Sequence, residues 1–284
     1  MKIYPIEAGN FKLDGGAMFG VVPKTLWQKT NPADNNNLID IASRCMLIED
    51  GNKLILIDSG MGNKQSEKFY SYYNRWGDFT LIESIRKLGF DTSEITDVFL
   101  THLHFDHVGG ATVRNKKNNI ETLFSKATYW SNKKHWDWAT KPNAREKASF
   151  LSENLQPIVQ SGQLKFADVN FSKNNVDGLP FGINFVDGHT EKQMLPTLQY
   201  QNKTIVFMAD LLPTAGHVPL PYVMGYDTRP LQTLIEKKEF LGAAATNNWY
   251  LFLEHDAHNE IITVKHTDKG VRLNNTYTFN QLFN

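Results

Sequence analysis

Thr101-His102-Leu103-His104-Phe105-Asp106-His107 decides how this chain is read, because three of its nine histidines fall between positions 102 and 107. His102, His104 and Asp106 alternate along an extended segment, so their side chains point to one side. His107 follows where the chain turns into Val108-Gly109-Gly110. Imidazole and carboxylate suit Zn, Fe, Mn or Co. Four donors on one short segment are more than a single ion takes from adjacent residues, so two ions close together would share them. The alternative is a solvated loop that happens to be rich in His. Packing imidazoles behind the apolar run Ile95–Thr101 (ITDVFLT) gives that alternative no stability rationale.

The same form recurs outward from the cluster. Ile41–Glu49 (IASRCMLIE) and Lys53–Asp58 (KLILID) flank Asp50-Gly51-Asn52, a hairpin signal. Lys203–Asp210 (KTIVFMAD) and Asn248–Glu254 (NWYLFLE) are apolar runs that end on an acid. Rigid strands that end on polar groups aim those groups into one cleft. Helical patterns lie between: Asp78–Leu88, with Phe79, Ile82, Ile85 and Leu88 at spacings of three, then Arg145–Gln160, then Pro230–Ala245 with Leu231, Leu234 and Ile235 on one face. Asp14–Asn37, Asn115–Asn119 and Leu211–Pro230 read as loops. The last holds four of the eleven prolines and enough aromatic residues to form a pocket wall. Strands alternating with helices predict mixed α/β layers with the helices outside. Without a repeat or a linker, a single domain over residues 1–284 is the simpler reading.

Composition removes other classes. The chain has 284 residues, 30 basic against 30 acidic, 41% hydrophobic, with one cysteine. It is too apolar for a disordered chain, and Cys45 has no partner for a disulfide. Cys45 itself reads as a small core hydrophobe. Zero net charge gives no basic field for nucleic acid. No run reaches the roughly 18 apolar residues of a spanning helix, and the start MKIYPIEAGNFKLDGG lacks the apolar core of a secretory signal. A soluble, cytoplasmic protein acting on a small molecule, with no nucleic-acid or membrane partner, is expected.

With these residues in view, His102-x-His104-x-Asp106-His107 resembles the signature of the metallo-β-lactamase superfamily of hydrolases. The resemblance extends over most of the chain: Asp58 in LIDSG matches the family's acidic turn, His189 in VDGHT the next ligand, Asp210 the bridging carboxylate and His255 in LFLEHD the last ligand. It implies an α+β fold, an αββα four-layer sandwich of two mixed β-sheets with helices outside. It also implies two divalent ions, zinc first, with iron, manganese or cobalt also admitted. His102, His104 and His189 would hold one, Asp106, His107 and His255 the other, and Asp210 would bridge them. Two dications, two carboxylates and a bridging hydroxide leave one residual positive charge to polarise a carbonyl or phosphoryl oxygen. Asp106 would also orient the nucleophile, Asp58 would orient a ligand His, and Tyr222 or Tyr226 would donate to the substrate oxygen, as a Tyr does in related lactonases.

The chain departs from many relatives after the third ligand. His189-Thr190-Glu191-Lys192-Gln193 stands where they carry Thr-Pro-Gly-His, which sets it apart from glyoxalase II and typical acyl-homoserine lactonases. His104 stands where the flavodiiron branch carries Glu. His135, His217, His258 and His266 are left as surface or rim residues, His217 being the first candidate for an exception. The apolar part of 14–37, the 211–226 loop and Trp130, Trp136 and Trp138 would wall an apolar pocket suited to a neutral lactone, ester or phosphotriester. Alternatives on the same site are thioester or β-lactam hydrolysis, and a non-hydrolytic iron oxygenase or sensor. The apolar N-terminal loop is a candidate homodimer contact.

Overall fold

Strands β1 (Lys2–Asp14), β2 (Leu38–Asp50) and β3 (Lys53–Ile57) open the chain. The last two form the hairpin expected at Asp50-Gly51-Asn52: the register pairs Asp50 with Lys53, and Gly51 takes φ 59°, a left-handed conformation open to Gly without steric cost. The structure, a computed structural model, describes residues 1–168 and 178–283. Two compact units divide the chain, Met1–Asn10 with Ser43–Phe171 and Phe11–Ala42 with Ser172–Asn284.

In the first unit β4 (Asp97–Phe99), β5 (Thr112–Arg114), β6 (Ile120–Thr122), β7 (Thr128–Asn132) and β8 (Leu164–Ala167) follow. The main sheet has the order β1-β2-β3-β4-β7-β8, and β5 and β6 form a separate hairpin around the polar turn 115–119. β3, β4, β7 and β8 run parallel. Leu54–Ile57 and β4 are buried throughout, as parallel strands covered on both faces require. Parallel strands place their carboxyl ends on one edge, where α/β sheets build sites. Asp58 follows β3, Thr101 and His102 follow β4, and Asn132 ends β7 and caps the Lys133–Thr140 helix by accepting from the His135 N–H at 2.8 Å. Cys45 lies in the core with Leu47, Leu56, Val98 and Leu100, as expected. Trp130 and Trp136 are buried, and Trp130 donates its indole N–H to Asp97 at 2.8 Å. Packing claims them, in place of the pocket wall expected of them.

Two helices in this unit differ from expectation. The one predicted at 78–88 spans Leu81–Lys87 and buries Leu81 and Ile85, leaving Phe79 and Leu88 exposed. Thr80 accepts from the Glu83 N–H and so fixes the start. Spacings of three drift off a 3.6-residue turn, whereas 81 and 85 stay on one face. The helix predicted from Arg145 begins at Ser152. The Ser149 carbonyl accepts from the Phe105 N–H instead of continuing a helix.

The second unit holds β9 (Gly182–Val186), β10 (Gln193–Tyr200), β11 (Lys203–Phe207), β12 (Tyr250–Phe252), β13 (Ile261–Thr267) and β14 (Gly270–Tyr277) in the order β14-β13-β12-β11-β10-β9. β11 and β12 are parallel, joined by a crossover through the Pro230–Asn247 helix. Asp210 lies just beyond β11 and His255 just beyond β12. The crossover helix buries Thr233, Lys237, Leu241 and Ala244, whereas Leu231 is 76% and Ile235 54% exposed. Its buried face is therefore not the apolar stripe the sequence suggested. Polar groups take that face because each finds a partner there. Within 14–37, read as loop, Asp14 caps a short helix, Gly15–Phe19, and Lys24–Trp27 forms a second. No helix of the described residues is long and apolar enough to cross a membrane.

Candidate metal centre

The first unit brings four of the expected ligands together. The chain leaves β4 in extended form through Thr101-His102-Leu103, and a single helical turn, Phe105–Val108, turns Asp106 and His107 back beside them. His102 Nε2 and His104 Nδ1 lie 3.1 Å apart, and donor atoms of Asp106 and His107 lie within 4.8 Å of one another. Asp58, fully buried, accepts from the Thr101 N–H at 2.8 Å and the Thr101 hydroxyl at 2.6 Å, and its carboxylate faces His107 Nδ1 at 3.0 Å. The loop after Asp58 clasps the cluster by its backbone. The Ser59 N–H and hydroxyl both donate to the His107 carbonyl at 2.8 Å, and buried Lys64 donates to the Gly109 carbonyl. A Cβ on Gly109 would lie 2.1 Å from the Met61 carbonyl oxygen, and one on Gly110 2.0 Å from that of Ser59.

The second unit brings the other three together. Asp210 sits between two imidazoles, with His189 Nε2 at 3.0 Å from one carboxylate oxygen and His255 Nε2 at 3.0 Å from the other. His189 Nδ1 faces Asp227 at 2.9 Å, and Asp227 accepts from the Thr233 hydroxyl at 2.7 Å. His255 Nδ1 faces the Ala42 carbonyl at 2.8 Å. Burial pulls the His189 ring toward neutrality, but the Asp210 and Asp227 carboxylates outweigh it and raise the ring to about 10.

Hydrogen-bond logic in each unit tests the fit to a metal. The Ala42 carbonyl only accepts, so His255 Nδ1 carries the proton. Its Nε2 lone pair then points at a carboxylate oxygen, an arrangement that calls for a proton or a cation between them. Thr101 donates its hydroxyl hydrogen to Asp58, so its oxygen accepts from His102 Nδ1 at 3.1 Å. That leaves the His102 Nε2 lone pair facing His104 Nδ1, whose far nitrogen lies 3.4 Å from buried Glu146. His107 gives its Nδ1 proton to Asp58, so its lone pair is on Nε2. His107, His189 and His255 are each fixed through Nδ1 by an acceptor, Asp58, Asp227 and the Ala42 carbonyl, the support that metal-binding histidines receive. The donor set fits divalent ions of the zinc type.

Several participants escaped the sequence reading. His135 and His217, placed there on the surface or rim, are buried. The Leu103 N–H donates to His135 Nε2 at 2.9 Å, so His135 holds the backbone between two ligands. His217 has Nδ1 at 2.8 Å from the Thr214 hydroxyl and Nε2 at 2.9 Å from the Met18 carbonyl, and its ring stacks on Phe19 at 4.2 Å. His258 and His266 are exposed, as expected. Tyr73, Phe69 and Phe105 pack beside Asp106, with Tyr73 and Phe105 4.9 Å apart. Burial and then the Asp106 charge push the Tyr73 phenol up to about 12, so it stays protonated at neutral pH. Glu146 and Asp227 carried no signal, since an acid in a polar loop looks like any other. Both tyrosines named from sequence lie in the second unit. Tyr222 is half-buried, edge-on to Phe19 at 6.2 Å, and Tyr226 is 40% exposed.

Two predictions follow from this packing. A Cβ on Gly188 would lie 2.2 Å from Thr233 Oγ1 and 2.6 Å from its backbone. Gly188→Ala should therefore displace His189 and lower metal affinity about 10–100-fold, the usual cost of disturbing a ligand's support, measured by competition with a chelating dye. Unchanged affinity would mean the loop has slack. The second concerns acid. Burial holds His217 down at about 3, while an unfolded His titrates near 6.5. Between these values the unfolded chain binds a proton that the folded ring refuses, so stability falls as pH drops from about 6.5 to about 3, by on the order of 5 kcal/mol. Denaturant midpoints of the metal-free protein should fall across that window, and His217→Asn should flatten the slope. Parallel slopes in the two proteins would place the titration elsewhere.

Comparison with known proteins agrees with this geometry. Residues 39–255 match the Metallo-beta-lactamase superfamily. A 118-residue stretch is 29% identical to the N-acyl homoserine lactonase AiiB of Agrobacterium fabrum (strain C58 / ATCC 33970), covering 38% of this chain and 42% of that protein, so the match spans less than half of the relative's length. Among solved structures, a probable metal-dependent hydrolase from Staphylococcus aureus superposes with a TM-score of 0.84 at 27% identity over 98% of both chains. The dizinc quorum-quenching lactonase AidC, in complex with the product N-hexnoyl-L-homoserine, gives 0.77 at 24% identity over 98% of this chain and 95% of its own. These likenesses bear out the α+β fold class expected from the His102–His107 signature.

Proposed function

We propose that this chain, which belongs to the metallo-β-lactamase superfamily, is a metal-dependent hydrolase that opens lactones, using two divalent ions with zinc first. In this reading His102, His104 and His189 would hold one ion, Asp106, His107 and His255 would hold the other, and Asp210 would serve both. The observation that carries it is the buried donor set: His102, His104, Asp106 and His107 gathered at one end of β4, and His189 and His255 on the two oxygens of Asp210, each of His107, His189 and His255 fixed through Nδ1 by a separate acceptor. When bound, such ions lower the pKa of a water and polarise a carbonyl oxygen. The chain's own residues do the rest. Asp106 orients the attacking water, and Asp58 and Asp227 keep two ligand rings in register. Tyr222 donates to the substrate oxygen, and its hydroxyl is suited to that because it has no hydrogen-bond partner among the described residues. Phe19, fully buried between His217 and Trp27, backs the Tyr222 ring edge-on at 6.2 Å. The lactonase relatives support this substrate class over the ester and phosphotriester.

The test is elemental analysis of protein purified without added metal, with lactone, aryl ester and phosphotriester assays in parallel. About two ions per chain, lactone turnover lost to chelator and restored by zinc, is the expected result. One iron per chain without hydrolysis would overturn it, and turnover confined to aryl ester or phosphotriester would move the substrate.

A further inference from the structure

Lys237 is 1% exposed on the buried face of the Pro230–Asn247 helix. Lysine is rarely buried unless paired, because desolvating its ammonium is expensive. Here Nζ donates to the Tyr222 carbonyl at 2.7 Å and to the Pro219 carbonyl at 3.0 Å. The Tyr222 N–H donates back to Pro219 at 2.9 Å, so the ammonium closes a single turn, 219–222. Farther along, the Gly225 N–H donates to the Ala17 carbonyl at 2.8 Å, and Phe19 stacks between His217 and Trp27. Asp227, at the end of this segment, is held by Thr233, one helical turn before Lys237. Burial depresses the Lys237 ammonium to about 7, with the Asp227 charge working against that fall.

We propose that Lys237 is a positioning residue that tethers the 219–222 turn through two backbone carbonyls and thereby places Tyr222 against the substrate. This rests on the lactone reading for what Tyr222 touches, though not for the tether. An apolar side chain would fill the same space on the helix. An ammonium adds two directed bonds to a loop that has no strand to fix it.

The experiment compares wild type with Lys237→Met, a side chain of similar length, by amide hydrogen exchange, metal content and steady-state kinetics. Exchange at 222–227 should rise about tenfold while 187–192 stays as in wild type. KM for the lactone should rise about tenfold with kcat within about twofold and metal content unchanged, the signature of lost substrate positioning and not of lost chemistry. Unaltered exchange at 222–227 would overturn the tether. Freed amides with unaltered KM would overturn its role in placing Tyr222. A wild type that hydrolyses no lactone would sink the functional reading instead, and the exchange comparison would still decide the tether.

Discussion

Asp106→Asn combined with His107→Asn is expected to lower lactone turnover by at least about 10³-fold, since ion-based charge stabilisation is worth several kcal/mol and each 1.36 kcal/mol is tenfold. Both side chains emerge from one short turn at the carboxyl end of β4, with donor atoms within 4.8 Å of one another and the His107 ring fixed by Asp58. Bound metal should fall with activity. The fold should persist, because Asp58 keeps both Thr101 bonds whatever occupies position 107. The metal-free variant should still unfold cooperatively, at a denaturant midpoint lowered by the loss of the buried His107–Asp58 bond, about 1–3 kcal/mol. Turnover retained in the variant would mean that these residues hold no working ion, and the mechanism would go with it.

Asp58→Ala is expected to have the largest effect on stability, about 4 kcal/mol, from leaving several buried polar partners unsatisfied at once. Its carboxylate serves the Thr101 N–H, the Thr101 hydroxyl and His107, all fully buried. Backbone geometry adds to the loss, since Asp58 sits at φ 56°, a region that Asp and Asn visit more readily than Ala. Asp58→Asn should thus recover most of the stability while still weakening metal binding, because an amide supports the His107 ring less strongly than a carboxylate. Denaturant unfolding of the metal-free proteins separates the two contributions. Equal stability of the Ala and Asn variants would show that neither the backbone conformation nor the Thr101 bonds matter.

The strands and the clusters of candidate ligands were legible because each rests on local pattern. Leu54–Ile57, Asp97–Phe99 and Lys203–Phe207 are short apolar runs whose ends carry the chemistry, and the Asp-Gly turn sets the first hairpin. What supports the ligands was not legible. His135 reaches Leu103 across 32 positions, Asp227 reaches His189 across 38, and buried Glu146 accepts from the Trp138 indole and the Asn143 amide. Such partners are chosen by tertiary packing and leave no spacing to read. The crossover helix failed for a related reason. Hydrophobic periodicity assumes that the buried face is apolar, whereas Thr233 and Lys237 are buried to hold loops. The missing Pro-Gly-His after the third ligand has a structural counterpart. Glu236 accepts from the Asp187 and Gly188 N–H groups at 2.8 and 3.0 Å, and Arg229 donates to the Asp187 carbonyl and to Glu191, each at 2.7 Å.

The seam where Gly109 and Gly110 meet Met61 and Ser59 divides the first unit into places that can vary and a place that cannot. Peptide lies on peptide there with no side chain between, so the only admissible side chain is a hydrogen. A saturation library should return almost no functional variants at 109 and 110, alanine included, while the exposed positions 116, 117 and 119 accept nearly anything. Selection for a new substrate would consequently find its usable variation elsewhere, and the seam would pass through such a selection unaltered.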